Sequence, residues 1–170
     1  MRTLLKVSHF LELLGLSIWT GGMLIIGVVV APIAFSNLPI DAAGDLMARI
    51  FGLFNQKVTL GLVTVLIASF LIQLWGEPVP QESVKRRRWE GRLLFLFCLV
   101  ALYTGVILTP KIEAARIKFQ ATGADPETFQ GLHRRSEELA SVGLIAAMAL
   151  LYLKANPESR GKSAETGAHV

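Results

Sequence analysis

The amino-acid sequence predicts an all-α integral membrane protein, an antiparallel four-helix bundle whose helices project beyond the bilayer on the non-cytoplasmic side. The chain of 170 residues is 52% hydrophobic, with a mean hydropathy of +0.51, which is too apolar for a soluble domain of this size. Apolar runs occur four times and are separated by turn residues and charges. Basic residues cluster at the ends of these runs, as they do in proteins that use positive charge to set membrane topology.

The first apolar run is the longest. Residues 10–35 carry one charge, at Glu12, and none follows from residue 13 to residue 35. As a helix, those uncharged residues extend roughly 35 Å, enough to cross a hydrocarbon core of about 30 Å. We expect a first span at about residues 10–35, with its helix running to about Phe35 and ending at or just after Ala31-Pro32. The run is too long for the core of a cleaved signal peptide.

Three shorter runs predict the other spans, at residues 58–75, 93–109 and 139–153. An amphipathic segment capped by Asp41 leads into the second, the third continues past Pro110, and a helix capped by Asp125 leads into the fourth. The fourth run is shorter than the usual ~17–25 residues of a span, so its helix should project beyond the bilayer. Residues 1–156 then form one domain, and the polar residues 157–170 are predicted to be disordered.

The basic residues also predict the orientation. The N terminus, the loop between spans two and three and the tail share one side, which carries ten of the 17 Lys and Arg residues. The densest run, Lys85, Arg86, Arg87 and Arg88, lies there, so both termini are expected in the cytoplasm. We interpret this run as a topology anchor with anionic lipid nearby, and we expect no nucleic-acid partner.

A candidate intramembrane polar site lies at the cytoplasmic end. His9, Glu12 and Trp19 share one face of the first helix, and antiparallel threading brings Gln73 of the second helix to the same end. A seam of small residues lies beside this face and predicts close approach of another helix: Ser8, Gly15 and Gly22. Ionisable groups inside a span are costly and mark proton or ion pathways. The alternatives are an interfacial His9–Glu12 pair that hydrogen-bonds locally and a packing role for Trp19.

A candidate outer polar cluster lies at the opposite end and contains Asn55, Glu113, Arg116, His133 and Glu137. It is interpreted either as a functional site or as a salt-bridge network between helices three and four, with Arg116 pairing with Glu137. His133 also begins a face of small residues on the last helix, continued by Ser136, Ala140, Gly143 and Ala147.

Catalytic and metal-binding motifs are missing from the sequence. It contains no HExxH, GxSxG or CxxC motif and no phosphate-binding glycine loop, and Cys98 is its single cysteine. His9 and His133 are predicted on opposite sides of the membrane, too far apart to share one haem or metal. We therefore expect a non-enzymatic protein with no metal site and no cofactor.

Two groups of residues resemble a known family. The sequence is similar to the transmembrane-protein-205-like family in the pattern His9, Trp19-Thr20-Gly21-Gly22, Ala31-Pro32, Phe35, Leu38-Pro39, Ala43-Gly44 and Phe51, and again in Thr109-Pro110, Ala115-Arg116, Phe129, Leu132-His133 and Ser136. The resemblance covers most of residues 9–153 and implies a four-helix membrane protein without an assigned reaction. The first helix alone also resembles copper-resistance D-type membrane proteins, through His9 and the segment 19–22.

These observations predict a small bundle that binds or passes a small solute or ion. A homo-oligomer is one arrangement for this function, because four helices alone enclose little space. The alternatives are a copper- or haem-handling membrane protein and a structural subunit of a membrane complex. Leucines at positions 16, 62 and 66 lie between the two polar ends, so we expect no open water-filled pore in the monomer.

Overall fold

The computed structural model describes residues 2–76, 84–123 and 126–155, and all regular structure in these ranges is helical. The α-helices are α1 (Arg2–Ile25), α2 (Ala31–Asn37), α3 (Ile40–Leu53), α4 (Leu60–Gly76), α5 (Val84–Leu102), α6 (Thr109–Thr122) and α7 (Pro126–Ala155). Within these ranges, three π-helical turns join consecutive helices without a break, at Ile26–Val30, Phe54–Thr59 and Tyr103–Leu108.

In the described part of the chain, the helices form four spans that are long and apolar enough to cross a membrane. They are Thr3–Asn37, Ile40–Gly76, Val84–Phe119 and Glu127–Ala155. The predictions of an all-α chain and of four spans in a multi-pass membrane protein are thereby confirmed. The predicted cap at Asp125 and the predicted disorder of residues 157–170 lie outside the described residues.

Two spans pass through a proline, and one predicted helix cap is wrong. The first span continues through Pro32 to Asn37, because a π-helical turn precedes the proline and widens the hydrogen-bond ladder where its ring would clash. Pro110 follows a π-helical turn in the same way, and the third span also continues. The N-cap of α3 is Pro39 rather than Asp41, since the Pro39 carbonyl accepts the Ala43 N–H at 2.9 Å.

The core lies where all four spans meet. The completely buried residues there are Leu16, Leu66 and Phe97 from the first three spans and Ala147 and Leu150 from the fourth. The outer surface is also apolar, and its exposed large side chains include Val28, Phe95 and Ile145. An apolar surface around an apolar core is expected for a bundle that faces lipid.

The contact between α1 and α4 fixes the register of the candidate site. Ser8 on α1 bonds to Ser69 on α4, whereas Gly22, farther along α1, packs against Phe54 in the π-helical turn that precedes α4. A Cβ on Gly22 would lie 2.6 Å from Phe54 Cε2, so glycine permits this approach. The predicted seam of small residues on α1 is confirmed, and it presents Glu12 to α4.

Candidate functional site

A buried carboxylate, that of Glu12, lies at the centre of the site. The side chain is completely inaccessible to solvent. Its Oε2 accepts a hydrogen bond from Gln73 Nε2 at 2.6 Å and lies 2.8 Å from Lys154 Nζ. Its Oε1 has no hydrogen-bond partner among the described residues. Oε2 therefore contacts two donors, whereas Oε1 remains available to a hydrogen-bond donor or a cation.

Lys154 connects this carboxylate to a second one. Its side chain is 6% exposed, and its ammonium lies 3.9 Å from Glu90 Oε2 on α5. The other oxygen of Glu90 accepts a hydrogen bond from Arg86 Nε at 2.9 Å. The exposed fraction rises in the order Glu12 (0%), Lys154 (6%), Glu90 (16%) and Arg86 (24%). A chain of alternating charges thus runs from the core toward the surface, and we call these four residues the inner cluster.

Neutral polar groups on α1 and α4 hold the Glu12 carboxylate from the other side. Gln73 Nε2 lies 3.1 Å from Ser8 Oγ as well as 2.6 Å from the carboxylate. The Ser8 hydroxyl donates to the Ser69 carbonyl at 2.9 Å. Ser8, Ser69 and Gln73 are all buried. This network fixes the carboxylate relative to two helices, because these hydrogen bonds are strong in a buried region of low dielectric.

Arg86 and Arg87 tie together the helix ends at this level. Arg86 donates to the carbonyl of Leu153, and Arg87 donates to the carbonyl of Gln73. Both carbonyls belong to the last turn of their helices, α7 and α4, where intrahelical partners run out. The negative ends of these two helix dipoles also offset the positive charge at the start of α5. Half of the predicted basic anchor therefore serves the site itself.

An apolar layer closes the site on the side of the core. Leu16 and Leu150 lie about one helical turn from Glu12 and Lys154, Leu66 lies about two turns from Gln73, and all three leucines are completely buried. Beyond this layer, Trp19 Nε1 donates to Thr59 Oγ1 at 3.0 Å. The hydroxyl of Thr20 is also buried there, without a hydrogen-bond partner in the described part of the chain. The bundle thus contains two buried polar levels that the leucines separate.

The predicted residues of the cytoplasmic site meet only in part. Glu12 and Gln73 are in contact, and His9 lies half-buried one turn before Glu12 on α1. Trp19 lies two turns beyond Glu12 and belongs to the second polar level, where its ring also packs edge-on against Phe97 with centroids 4.8 Å apart. The role of these residues as a functional site stays a prediction.

Sequence reasoning missed Lys154, which it interpreted as one of the basic residues that set topology. The signal was present on the last helix. The face of small residues that includes Gly143 and Ala147 continues, at helical spacing, through Leu150 to Lys154. Because Ala147 and Leu150 are completely buried, the lysine that follows them on the same face is directed inward.

The five residues of the predicted outer cluster fall into separate groups. Arg116 pairs with Asp45 of α3 and with Glu113, the latter at 2.8 Å. The predicted Arg116–Glu137 pair is wrong, because Glu137 lies beside His133, one turn away on its own helix, at 3.2 Å. Asn55 belongs to a π-helical turn, and its carbonyl packs against Gly105.

Potential metal ligands do not converge within residues 2–76, 84–123 and 126–155. No group of three or more His, Cys, Asp and Glu side chains in these ranges could hold a metal ion. Cys98 is buried in the core cluster among apolar side chains.

Comparison with known proteins gives one match. A protein-family model described as a domain of unknown function (DUF4149) matches residues 14–120. No curated protein and no solved structure matches the chain. The matched segment includes Gln73, Arg86 and Glu90, whereas Glu12 and Lys154 lie on either side of it.

Proposed function

The chain belongs to the family defined by the domain of unknown function DUF4149, and we propose that it is a non-enzymatic membrane protein that binds and passes a small cation, the proton above all. The observation that carries this proposal is the Glu12 carboxylate, which is fully buried and has one oxygen without a hydrogen-bond partner in the described residues. A buried acceptor without a partner costs about 1–3 kcal/mol, more when it is charged. A bound cation or proton donor at Oε1 would remove this cost.

The surroundings of Glu12 support a proton better than a metal cation. A proton needs one oxygen, whereas Ca²⁺ and Mg²⁺ take six or more ligands, chiefly oxygens. The other polar groups that contact Glu12, Gln73 Nε2 and Lys154 Nζ, are donors, which repel a metal cation. Carboxylates inside membrane spans are the usual stations of proton relays.

Lys154 gives the site a way to exchange its proton. Protonation of Glu12 weakens the attraction between its carboxylate and the Lys154 ammonium, which retains Glu90 at 3.9 Å as a second partner. The proton and Lys154 therefore compete for the same carboxylate. The inner cluster, whose exposure increases toward Arg86, supplies the path between Glu12 and the aqueous surface.

Passage across the membrane requires the apolar layer at Leu16, Leu66 and Leu150 to open. The π-helical turns are suited to such a movement, because π-helical segments are irregular points in a helix and occur often at functional sites. We propose an antiparallel bundle with both termini in the cytoplasm, so that the inner cluster opens to the cytoplasm. The resemblance to the transmembrane-protein-205-like family stays a prediction.

Proton flux into vesicles tests this function. Purified protein is reconstituted into vesicles that contain a pH-sensitive dye, and a potassium diffusion potential drives protons inward. We expect faster acidification than in protein-free vesicles, and loss of the excess rate in Glu12→Gln. Glu138→Gln is the matched control, because it makes the same chemical change at a side chain that is 63% exposed on α7.

Two results would contradict the proposal: wild-type flux equal to that of empty vesicles, and an excess flux that Glu12→Gln leaves intact. Flux of sodium or potassium ions in place of protons would contradict the choice of the proton as the cation. A Soret band or stoichiometric copper in the purified protein would favour the haem- or copper-handling alternative. Purification in fixed stoichiometry with other proteins would favour a structural subunit.

A further inference from the structure

The start of α5 presents two faces with different contacts. Arg86, Arg87 and Glu90 lie on the inward face, where they contact α7, α4 and Lys154. The buried residues Leu94 and Phe97 continue this face into the core. The basic run of the sequence is therefore divided between two surfaces of one helix.

The outward face carries the remaining cations of this helix end. Lys85, Arg88, Trp89 and Arg92 are spaced three, four and seven residues apart, which places them on one side of α5, and all four are exposed. The Arg92 guanidinium lies 5.3 Å from the centroid of the Trp89 ring, within the range of a cation–π contact. This contact gathers the positive charge beside an indole, a group enriched at the membrane interface.

The same face becomes apolar farther along the helix. Leu96 and Leu99 follow Arg92 at helical spacing and are exposed, at 39% and 54%. Over about four turns, the face therefore changes from cationic, with an indole among the cations, to aliphatic. A complementary ligand has an anionic group at one end and an apolar chain at the other.

We propose that this outward face binds an anionic phospholipid, with its phosphate between Lys85, Arg88 and Arg92 and an acyl chain along Leu96 and Leu99. Lysine and arginine near a membrane surface attract anionic lipid, and arginine binds phosphate oxygens through two parallel hydrogen bonds. The site is independent of the cation site proposed above, because Arg86, Arg87 and Glu90 face the opposite way.

Quenching by brominated lipid tests the site. Trp75 is 87% exposed and is replaced by Phe, whereas Trp19 is buried and gives a background that lipid cannot reach, so Trp89 becomes the reporter. The protein is reconstituted in phosphatidylcholine that contains brominated phosphatidylglycerol or, in parallel, brominated phosphatidylcholine. We expect phosphatidylglycerol to quench Trp89 with a several-fold preference.

Two triple variants, both in the Trp75→Phe protein, separate this site from a general effect of charge. In the variant Lys85→Gln/Arg88→Gln/Arg92→Gln, the two brominated lipids should quench Trp89 equally. Lys118→Gln/Arg134→Gln/Arg135→Gln removes three exposed charges from α6 and α7 and should keep the preference. Equal quenching without the triple changes, a preference that survives the first triple change, or one that both triple changes abolish would overturn the proposal. Circular dichroism verifies that each variant is folded.

Discussion

The two ends of the molecule carry similar charged groups in different surroundings. In the inner cluster, Glu12 and Lys154 are 0% and 6% exposed. At the other end, Arg116 is 15% exposed, and its partners Asp45 and Glu113 are 44% and 47% exposed. We call these last three residues the Arg116 group. Charge alone therefore does not distinguish the two ends, whereas burial does.

This difference predicts different consequences of losing a partner. An exposed ion pair contributes about 0–1 kcal/mol, because water replaces the missing partner. A buried charge left alone costs about 3–5 kcal/mol. Changes at the inner cluster should therefore affect stability and cation movement together. Changes at the Arg116 group should have little effect on either.

The largest effect is expected from Lys154→Met. This change leaves the buried Glu12 carboxylate without a cation, and the free energy of unfolding in detergent should fall by about 3–5 kcal/mol. Glu12→Gln should cost less, because Lys154 retains Glu90 at 3.9 Å. Denaturant titration of both variants measures which of the two loses more free energy of unfolding.

The double variant Glu12→Gln/Lys154→Met completes a thermodynamic cycle. It removes both charges, so it should be more stable than Lys154→Met alone. Additive costs of the two single changes, or a Glu12→Gln variant less stable than Lys154→Met, would show that the pair does not act as described.

The next effect concerns the π-helical turns that connect the two ends. A Cβ at Gly105 would lie 3.1 Å from the Asn55 carbonyl oxygen, which is backbone of the neighbouring turn. Gly105→Ala should therefore cost about 1–3 kcal/mol by overpacking. In the control Gly61→Ala the added methyl meets no atom within 4 Å. Equal midpoints of thermal unfolding for the two variants would contradict the close packing of these turns.

A smaller effect is expected at the Arg116 group. Arg116→Gln should lower the free energy of unfolding by about 1 kcal/mol or less, since its acidic partners remain in contact with water. Asp45→Asn should couple to this change in a double-mutant cycle, whereas Glu137→Gln should add independently. Coupling of Arg116 to Glu137 would restore the pairing that the sequence predicted.

The smallest effect is expected for His133→Ala. His133 and Glu137 are 58% and 68% exposed, so their pair should contribute about 0.5 kcal/mol or less. The midpoint of thermal unfolding should stay close to that of the wild type. A clear loss of stability would mean that this pair is buried by a partner or by lipid.

The sequence predicted the spans and the seam of α1 because both depend on local patterns. An uncharged stretch of 23 residues implies a span whatever surrounds it. Small residues at Ser8, Gly15 and Gly22 imply close approach of another helix. The error at Asp41 arose because the neighbouring Pro39 begins the helix, in place of the usual acidic side-chain cap.

The partners of charged residues were harder to predict, because they depend on how helices rotate against one another. Glu12 and Gln73 could be matched through the facing surfaces of two consecutive spans. The Lys154–Glu12 pair could be predicted only if the rotation of the last helix about its axis were known. Arg116 pairs with Asp45 on α3, a helix from which the sequence predicted no partner for it. Sequence spacing gives the face of a helix, whereas tertiary packing decides which face it meets.

The most direct test of the central claim, that the Glu12 carboxylate carries a cation, is proton flux through vesicles that contain Glu12→Gln/Lys154→Met. Unlike Lys154→Met, this variant leaves no buried carboxylate without a cation at position 12, so it should fold and insert as the wild type does. We predict flux at the level of protein-free vesicles for this variant, beside wild-type flux for Glu138→Gln. Wild-type flux through the folded double variant would contradict the account and leave the buried pair with a structural role.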